Sequence, residues 1–83
     1  MKVLKFYADW CGPCKALTRI IDIAGDKVTV PIEAVNIDEN IMMSQQFQVR
    51  SVPTMVLVDD LENEIKRTVG LVNEEKLLEF LKG

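Results

Sequence analysis

The hydrophobic spacing of the chain changes abruptly near Cys11, and this change constrains the fold more than any other feature. Val3 to Ala8 is a short apolar run, long enough for one buried strand. Beyond it, apolar residues recur at steps of three and four positions, as on one face of a helix: Cys14, Leu17, Ile21 and Ala24. Pro13 suits the first turn of that helix, and Gly25 is typical of its end. The pattern therefore predicts a buried strand followed directly by a helix over residues 15–24.

The only two cysteines of the chain stand at this junction, in the run Trp10-Cys11-Gly12-Pro13-Cys14. Two intervening residues let the second sulfur reach the first, and the start of a helix favours an anionic sulfur. Such a pair can cycle between a dithiol and a disulfide. A structural disulfide and half of a zinc site are the competing interpretations. Zinc as a rule takes four ligands, which two cysteines without any histidine do not supply, so the redox interpretation is favoured and no metal site is expected.

The next segment predicts a second strand and a short second helix. Val28 to Ile37 is rich in β-branched residues and is interrupted early by Pro31. Because a strand, a helix and a strand follow one another, a right-handed parallel crossover is expected. Asp38 or Asn40 can cap a short helix that runs through Phe47.

The C-terminal part of the chain predicts an antiparallel hairpin and a final helix. Thr54 to Val58 and Glu64 to Val69 have the composition of strands, and the polar turn of Asp59 to Asn63 between them is short. Asn73 can cap the last helix, which has acidic residues in its first turn. The buried stripe of this helix is expected to contain Leu77, Leu78 and Leu81. The expected order of elements is βαβαββα.

Length and composition limit the class of protein. The chain has 83 residues, of which 48% are hydrophobic, so a single globular domain over residues 1–83 is expected. Its formal net charge is -3 and it has no basic patch with interleaved aromatic residues, so nucleic-acid binding is not expected. The N-terminal segment lacks the features of a signal peptide, and no apolar run approaches the length of a membrane span. A cytoplasmic, reducing location and no membrane association are therefore expected.

Several ordered motifs give the chain a family likeness. The segment from Phe6 to Lys15, then Asn36-Ile37-Asp38, Val52-Pro53-Thr54 and Val69-Gly70, together resemble thioredoxin in register over nearly the whole chain. The resemblance implies an α/β fold of the thioredoxin type, with a four-stranded mixed sheet flanked by three helices. The usual first strand and helix are absent, as in glutaredoxins and some small archaeal or phage thioredoxins.

The resemblance also implies roles for individual residues. Cys11 would be the exposed attacking thiol, Cys14 the buried resolving thiol, and Pro53 a cis-proline against the disulfide. An apolar collar would receive the disulfide of a target protein; its members would be Trp10, Gly12, Pro13, Val52, Pro53, Gly70 and Leu71. No cofactor is implied. The expected partners are protein disulfides and a thioredoxin reductase or other dithiol donor, with the protein acting as a monomer.

Three positions depart from the family pattern around the cysteines. The buried aspartate of the family corresponds to Lys5, its accompanying lysine to Ala34, and the proline that kinks the motif helix to Arg19. We expect Lys5 to lie inside the sheet below the motif and to affect Cys14 more than Cys11. Its side chain should find a partner, reach water along its stem, or lose its proton. A structural role is the first interpretation, and a catalytic role, with a neutral Lys5 accepting a proton from Cys14, is the second.

These observations predict a thiol–disulfide oxidoreductase that reduces protein disulfides through a Cys11/Cys14 cycle. One alternative is a glutaredoxin-like carrier that glutathione reduces, although the Gly-Pro dipeptide and the lack of a clear clamp for the glutathione carboxylates speak against it. The other alternative is a non-catalytic binding module with a vestigial motif. Replacement of both cysteines by serine separates these classes, since a scaffold role would survive it.

Overall fold

A four-stranded sheet with helices on both faces makes up the fold. A computed structural model describes residues 1–82. In chain order its elements are β1 (Lys2–Tyr7), α1 (Gly12–Ala24), β2 (Ile32–Asn36), α2 (Ile41–Gln46), β3 (Thr54–Val58), β4 (Glu64–Val69) and α3 (Glu74–Leu81), with a 3-10 turn at Gly25–Lys27. The predicted order βαβαββα and the mixed sheet are confirmed.

The strand that leads into the cysteines lies inside the sheet. The strand order is β2-β1-β3-β4, with β1 parallel to β2 and antiparallel to β3. The hairpin of β3 and β4 is antiparallel, as predicted. Because β1 is paired on both sides and covered on both faces, its sequence is a nearly continuous apolar run, in which Lys5 is the exception.

The alternation of side chains along β1 divides the core into two clusters. Val3 packs with Leu17 and Leu77 beneath α1 and α3. Leu4 and Phe6 point to the other face and pack against residues of the α2 side, including Phe47, whose ring centroid lies 5.8 Å from that of Phe6. Full burial of one such side chain stabilises a fold by about 1.5–3 kcal/mol. The two faces of one strand therefore attach helices to both sides of the sheet.

One predicted strand boundary and one predicted side-chain cap are wrong, and hydrogen bonding explains both. The second strand is only Ile32–Asn36, because Pro31 has no N–H for the ladder and the preceding segment closes a turn with a bond from Val28 N to Gly25 O at 3.0 Å. The helix α2 begins after Asn40, but the Asn40 side chain does not cap it. That side chain donates instead to Asn36 O at 3.0 Å.

The predicted caps of the other helices are confirmed. Asn73 Oδ1 accepts a hydrogen bond from Lys76 N at 2.9 Å at the start of α3. Pro13 lies in the first turn of α1, and Gly25 ends that helix with φ of +51°, a conformation that favours glycine. Within residues 1–82, none of the helices combines the length and the apolar character needed to cross a membrane.

A carboxylate organises the hairpin turn at the far end of the sheet from the cysteines. Asp59 accepts hydrogen bonds from Asn63 N and Leu61 N, both at 2.9 Å. These bonds, with that from Asn63 as the largest influence, hold the pKa of Asp59 below its usual value. The carboxylate is therefore favoured in its ionised form when the turn is folded.

The turn should make the stability of the protein depend on pH. A carboxyl with a lowered pKa in the folded state stabilises that state above its unfolded pKa of about 3.9, and the contribution disappears as the pH falls through the folded value. We therefore expect Asp59→Asn to lower the free energy of unfolding at about pH 7 and to have little effect at about pH 2.5. Urea denaturation at the two pH values measures the difference, and an equal loss at both would contradict it. Asp26→Asn is the control, because the Asp26 carboxylate accepts no hydrogen bond within residues 1–82.

Candidate redox site

The two cysteines meet where β1 ends and α1 begins. Cys11 and Cys14 form a disulfide, with their Cα atoms 5.3 Å apart. Cys11 is the N-cap residue of α1, and Cys14 lies within its first turn. The strand therefore delivers the first sulfur directly to the start of the helix, as the sequence predicts.

The start of α1 offers a hydrogen-bond donor to the first sulfur. Cys14 N donates to Cys11 Sγ at 3.1 Å, so the sulfur occupies the place that an oxygen takes in an ordinary N-cap. The aligned peptide dipoles add positive potential there, which stabilises a nearby anion by up to about 2 kcal/mol in partly buried sites. These groups therefore favour a thiolate at Cys11 whenever the disulfide is reduced.

The two sulfur-bearing residues are equally covered, which differs from the expectation for Cys11. Each has 4% of its surface exposed, and they pack together with Ala8. The prediction that Cys11 is exposed is wrong for the oxidised protein, because its sulfur is bonded to Cys14 and lies against the end of β1. Its neighbours Gly12 and Pro13 are exposed, so access to the pair is from this side.

A second loop packs against the cysteine cluster. The Val52–Pro53 peptide bond is cis, as predicted, and Val52 is half-buried against the cysteine cluster. Pro53 O accepts a hydrogen bond from Gly70 N at 2.8 Å, which ties the start of β3 to the end of β4. The structure thus brings Val52 to the cysteine cluster and Gly70 to the adjacent Pro53. Leu71 follows Gly70 and is half exposed, but it is not part of the cluster around the cysteines.

Trp10 is held at the surface by Asp38, for which the sequence predicts a different role. The Trp10 side chain is 70% exposed, and its indole N–H donates to Asp38 Oδ2 at 3.1 Å. The loop of Asp38 is itself fixed, since Asp38 N donates to Asn36 Oδ1 at 2.9 Å. Asp38 was predicted as a possible helix cap. Its bond to Trp10 spans 28 positions of the chain, so no local sequence signal indicates it.

Lys5 reaches a hydroxyl on α1. Its side chain is half-buried on the α1 face of the sheet, and Nζ donates to Thr18 Oγ1 at 2.9 Å. Burial lowers the pKa of the Lys5 ammonium, and the Asp22 carboxylate opposes this shift. The expectation of a lysine enclosed within the sheet is therefore only partly met: the stem lies under the helix while the ammonium reaches the exposed Thr18. The neighbouring strand positions, Ala34 and Met55, are uncharged.

Thr18 is the residue of this region that the sequence analysis missed. Its hydroxyl donates to Cys14 O at 3.1 Å, one helical turn back. A threonine four positions after a helical cysteine is a recognisable signal for such a bond, because the hydroxyl returns to the carbonyl of the preceding turn. What the sequence does not indicate is that Lys5, from a strand, would bind the same hydroxyl.

A small surface cavity adjoins the second cysteine. It has a volume of about 170 Å³ and is lined by Tyr7, Ala8, Asp9, Cys14, Lys15 and Thr18. A larger one, of about 510 Å³, lies at the opposite end of β1 near Asp59 to Glu62, far from the cysteines. The cavity beside Cys14 has room for water molecules, so proton exchange with solvent is possible there.

Comparisons with known proteins agree with this geometry. The family model described as Thioredoxin matches residues 1–83. The chain is 40% identical over 80 residues to a thioredoxin of Chlamydia pneumoniae, covering 95% of this chain and 78% of that protein. It is 37% identical over 81 residues to a thioredoxin of Mycoplasmoides gallisepticum, covering 96% and 80% of the two chains.

Solved structures give the same result for the fold. A mutant thioredoxin from Halobacterium salinarum superimposes with a TM-score of 0.86 at 32% identity, over 96% of this chain and 70% of that one. Thioredoxin 1 of Thermosipho africanus gives a TM-score of 0.81 at 29% identity, over 99% and 91% of the two chains.

The contact between Trp10 and Asp38 should control the mobility of the indole. Asp38→Ala removes the acceptor, a bond worth about 0.5–1.5 kcal/mol, so we expect faster local motion of Trp10. Because Trp10 is the only tryptophan, fluorescence anisotropy decay measures this motion directly. Asp38→Asn keeps a side-chain oxygen and should have a smaller effect. Asp60→Ala, at the far end of the sheet, is the control, and an unchanged decay in Asp38→Ala would contradict the assignment.

Proposed function

Because the chain belongs to the thioredoxin family and is a thiol–disulfide oxidoreductase of protein disulfides, we propose that Cys11 attacks the substrate and Cys14 resolves the intermediate. The observation that carries this assignment is the position of Cys11 Sγ at the start of α1, where Cys14 N donates to it. Cys14 lacks such a cap position, since it lies within the helix.

The reaction then proceeds in two exchanges. The Cys11 thiolate attacks one sulfur of the substrate disulfide, and the other substrate sulfur leaves with the bonding electrons and takes a proton from solvent. The Cys14 thiolate next attacks Cys11 Sγ, and the remaining substrate sulfur leaves in the same way. The substrate gains two electrons, and the protein ends with the Cys11–Cys14 disulfide, which is the state that the structure describes.

The surface around the disulfide is suited to a polypeptide rather than to a small molecule. We assign substrate binding to the collar residues Trp10, Gly12, Pro13, Val52, Pro53, Gly70 and Leu71. In support, the Trp10 ring and Leu71 are exposed, at 70% and 50%. Val52 precedes β3 and packs against the cysteine cluster, so its backbone is the part of this loop that would pair with an extended substrate segment.

Protein disulfides are the substrates, and a reductase or other dithiol donor returns the disulfide to the dithiol. The proposal includes a cytoplasmic, monomeric protein. A reducing compartment keeps the pair available as a dithiol. The edge strands β2 and β4 carry charged side chains, among them Glu33, Lys66 and Arg67, which disfavour edge-to-edge pairing of two copies. Light scattering of the purified chain tests the monomer.

The order of attack predicts different behaviour for two single substitutions. Cys14→Ser should accumulate mixed disulfides with client proteins, because the attacking thiol remains and the resolving thiol is gone. Cys11→Ser should accumulate none, and the variant with both substitutions controls for non-covalent capture. Non-reducing electrophoresis of pulled-down complexes measures the adducts. Equal trapping by both single variants would contradict the assignment of roles.

A second experiment tests which reductant supplies electrons to the protein. We expect insulin reduction to be rapid with a thioredoxin reductase and slow with glutathione alone. The substitution of both cysteines by serine should abolish it. Rapid turnover with glutathione alone would favour a glutaredoxin-like carrier. A biological activity that survives loss of both cysteines would favour a binding module.

A further inference from the structure

A chain of hydrogen bonds joins a cation on the sheet to the backbone of the second cysteine. Lys5 Nζ donates to Thr18 Oγ1 at 2.9 Å, and Thr18 Oγ1 donates to Cys14 O at 3.1 Å. A hydroxyl has one proton and two lone pairs, so both bonds form at once only in this direction. The Thr18 hydroxyl therefore lies between the Lys5 amino group and the backbone carbonyl of Cys14.

The ammonium is the ordinary form of a lysine near neutral pH, and the Thr18 hydroxyl accepts a hydrogen bond from it. Burial lowers the pKa of Lys5, and the Asp22 carboxylate opposes this shift. Within residues 1–82, no carboxylate lies within ion-pairing distance of Lys5, so the positive charge is not neutralised by contact.

Few charged or titratable side chains surround Lys5 and Cys14. Asp22 on α1 is the carboxylate whose field acts on Lys5. Beside Cys14, the cavity is lined by three other titratable groups: Tyr7, Asp9 and Lys15. The adjacent strands present the uncharged Ala34 and Met55, and α3 meets the α1 side of the core through Leu77 and Leu81. Lys5 is thus the cation that the sheet presents to the Thr18 hydroxyl, which in turn binds the backbone carbonyl of Cys14.

We propose that Thr18 is a positioning residue that holds the Lys5 ammonium near Cys14, where its charge favours the Cys14 thiolate during resolution of the mixed disulfide. The inference rests on the proposed roles of Cys11 and Cys14. In this step Cys14 loses its proton to water in the adjoining cavity, and Lys5 keeps its own proton throughout. The thiolate then attacks Cys11 Sγ, the bond from Cys11 to the substrate sulfur breaks, and that sulfur leaves with the electron pair.

A coloured aromatic disulfide, 5,5′-dithiobis(2-nitrobenzoate), separates the two steps in one experiment. The reduced protein releases one thionitrobenzoate when Cys11 attacks and a second when Cys14 resolves the adduct. Stopped-flow absorbance between about pH 5 and pH 10 gives the rate of each phase against pH, a range that brackets an ordinary thiol pKa. The midpoint of the second profile reports the ionisation of Cys14 in the mixed disulfide.

Removal of the charge or of the hydroxyl should move only the second profile. Lys5→Met should raise its midpoint by about half a unit to one unit, less than a cation in direct contact with the sulfur would give. Thr18→Val keeps the shape of the side chain without the hydroxyl and should raise the midpoint in the same direction by a smaller amount. Lys5→Arg and Thr18→Ser keep the charge and the hydroxyl and should stay near wild type. Lys2→Met removes a lysine from the same strand at its distant end, and it should leave both profiles in place.

Several results would overturn the proposal. An unchanged midpoint in Lys5→Met, with stability alone altered, would reduce Lys5 to a structural role. A shift in Lys5→Met that Thr18→Val does not share would remove Thr18 as the positioning residue. A midpoint that falls rather than rises would reverse the sign of the effect. Failure of the proposed roles of the two cysteines gives a separate result. If Cys14 were the attacking thiol, the first phase would be lost in Cys14→Ser and retained in Cys11→Ser.

Discussion

The pairing of β1 on both sides is the constraint on which the rest of the structure depends. Parallel bonds to β2 and antiparallel bonds to β3 hold the strand, and its two sets of side chains fill separate clusters on the two faces of the sheet. Such a strand cannot shift by one residue, because every apolar side chain would change faces. Its end therefore lies in one place, and Cys11 and the start of α1 follow from it.

The redox site depends on segments that are far apart in the chain. Gly70 N binds Pro53 O, next to the Val52 that packs against the cysteines, while Asp38 holds the indole of Trp10. Neither bond belongs to the regular hydrogen bonding of a helix or sheet. They link the loops at one end of the sheet, so the surface that we propose for substrate binding has a defined shape although no single segment defines it.

In the proposed resolution step, the charge of Lys5 gives this chain a different electrostatic arrangement from the one that the family resemblance implies. A carboxylate near a thiol disfavours the thiolate and can take its proton, whereas an ammonium favours the thiolate and takes no proton. Our proposal gives the chain the second arrangement, with Lys5 on β1 and the uncharged Ala34 beside it. Proton loss from Cys14 then requires solvent, and the cavity next to Cys14 lies where solvent can reach it.

Much of this could be predicted from the sequence because the signals are local. The change of spacing at Cys11 indicates a strand followed by a helix, and Gly25 and Asn73 mark helix ends through their own backbone or side-chain preferences. The resemblance of the ordered motifs extends this to the whole fold and to a cis bond before Pro53. The start of β2 and the cap of α2 were predicted less well, since Pro31 has no N–H for the ladder and the Asn40 side chain binds Asn36 O instead of a helix N–H.

Only the tertiary structure decided which distant groups meet. Spacing along the chain places Thr18 one turn after Cys14, but it does not indicate that Lys5 crosses from a strand to bind the same hydroxyl, or that Asp38 binds Trp10 instead of capping a helix. These contacts join residues 13 and 28 positions apart, and their partners are chosen by where the sheet places the backbone. The sequence alone determines the cysteine pair at a helix start, because that arrangement requires only neighbouring residues. The position of the Lys5 charge and the surface around the cysteine pair could be known only from the packed sheet, because long-range contacts have no periodic signature in a sequence.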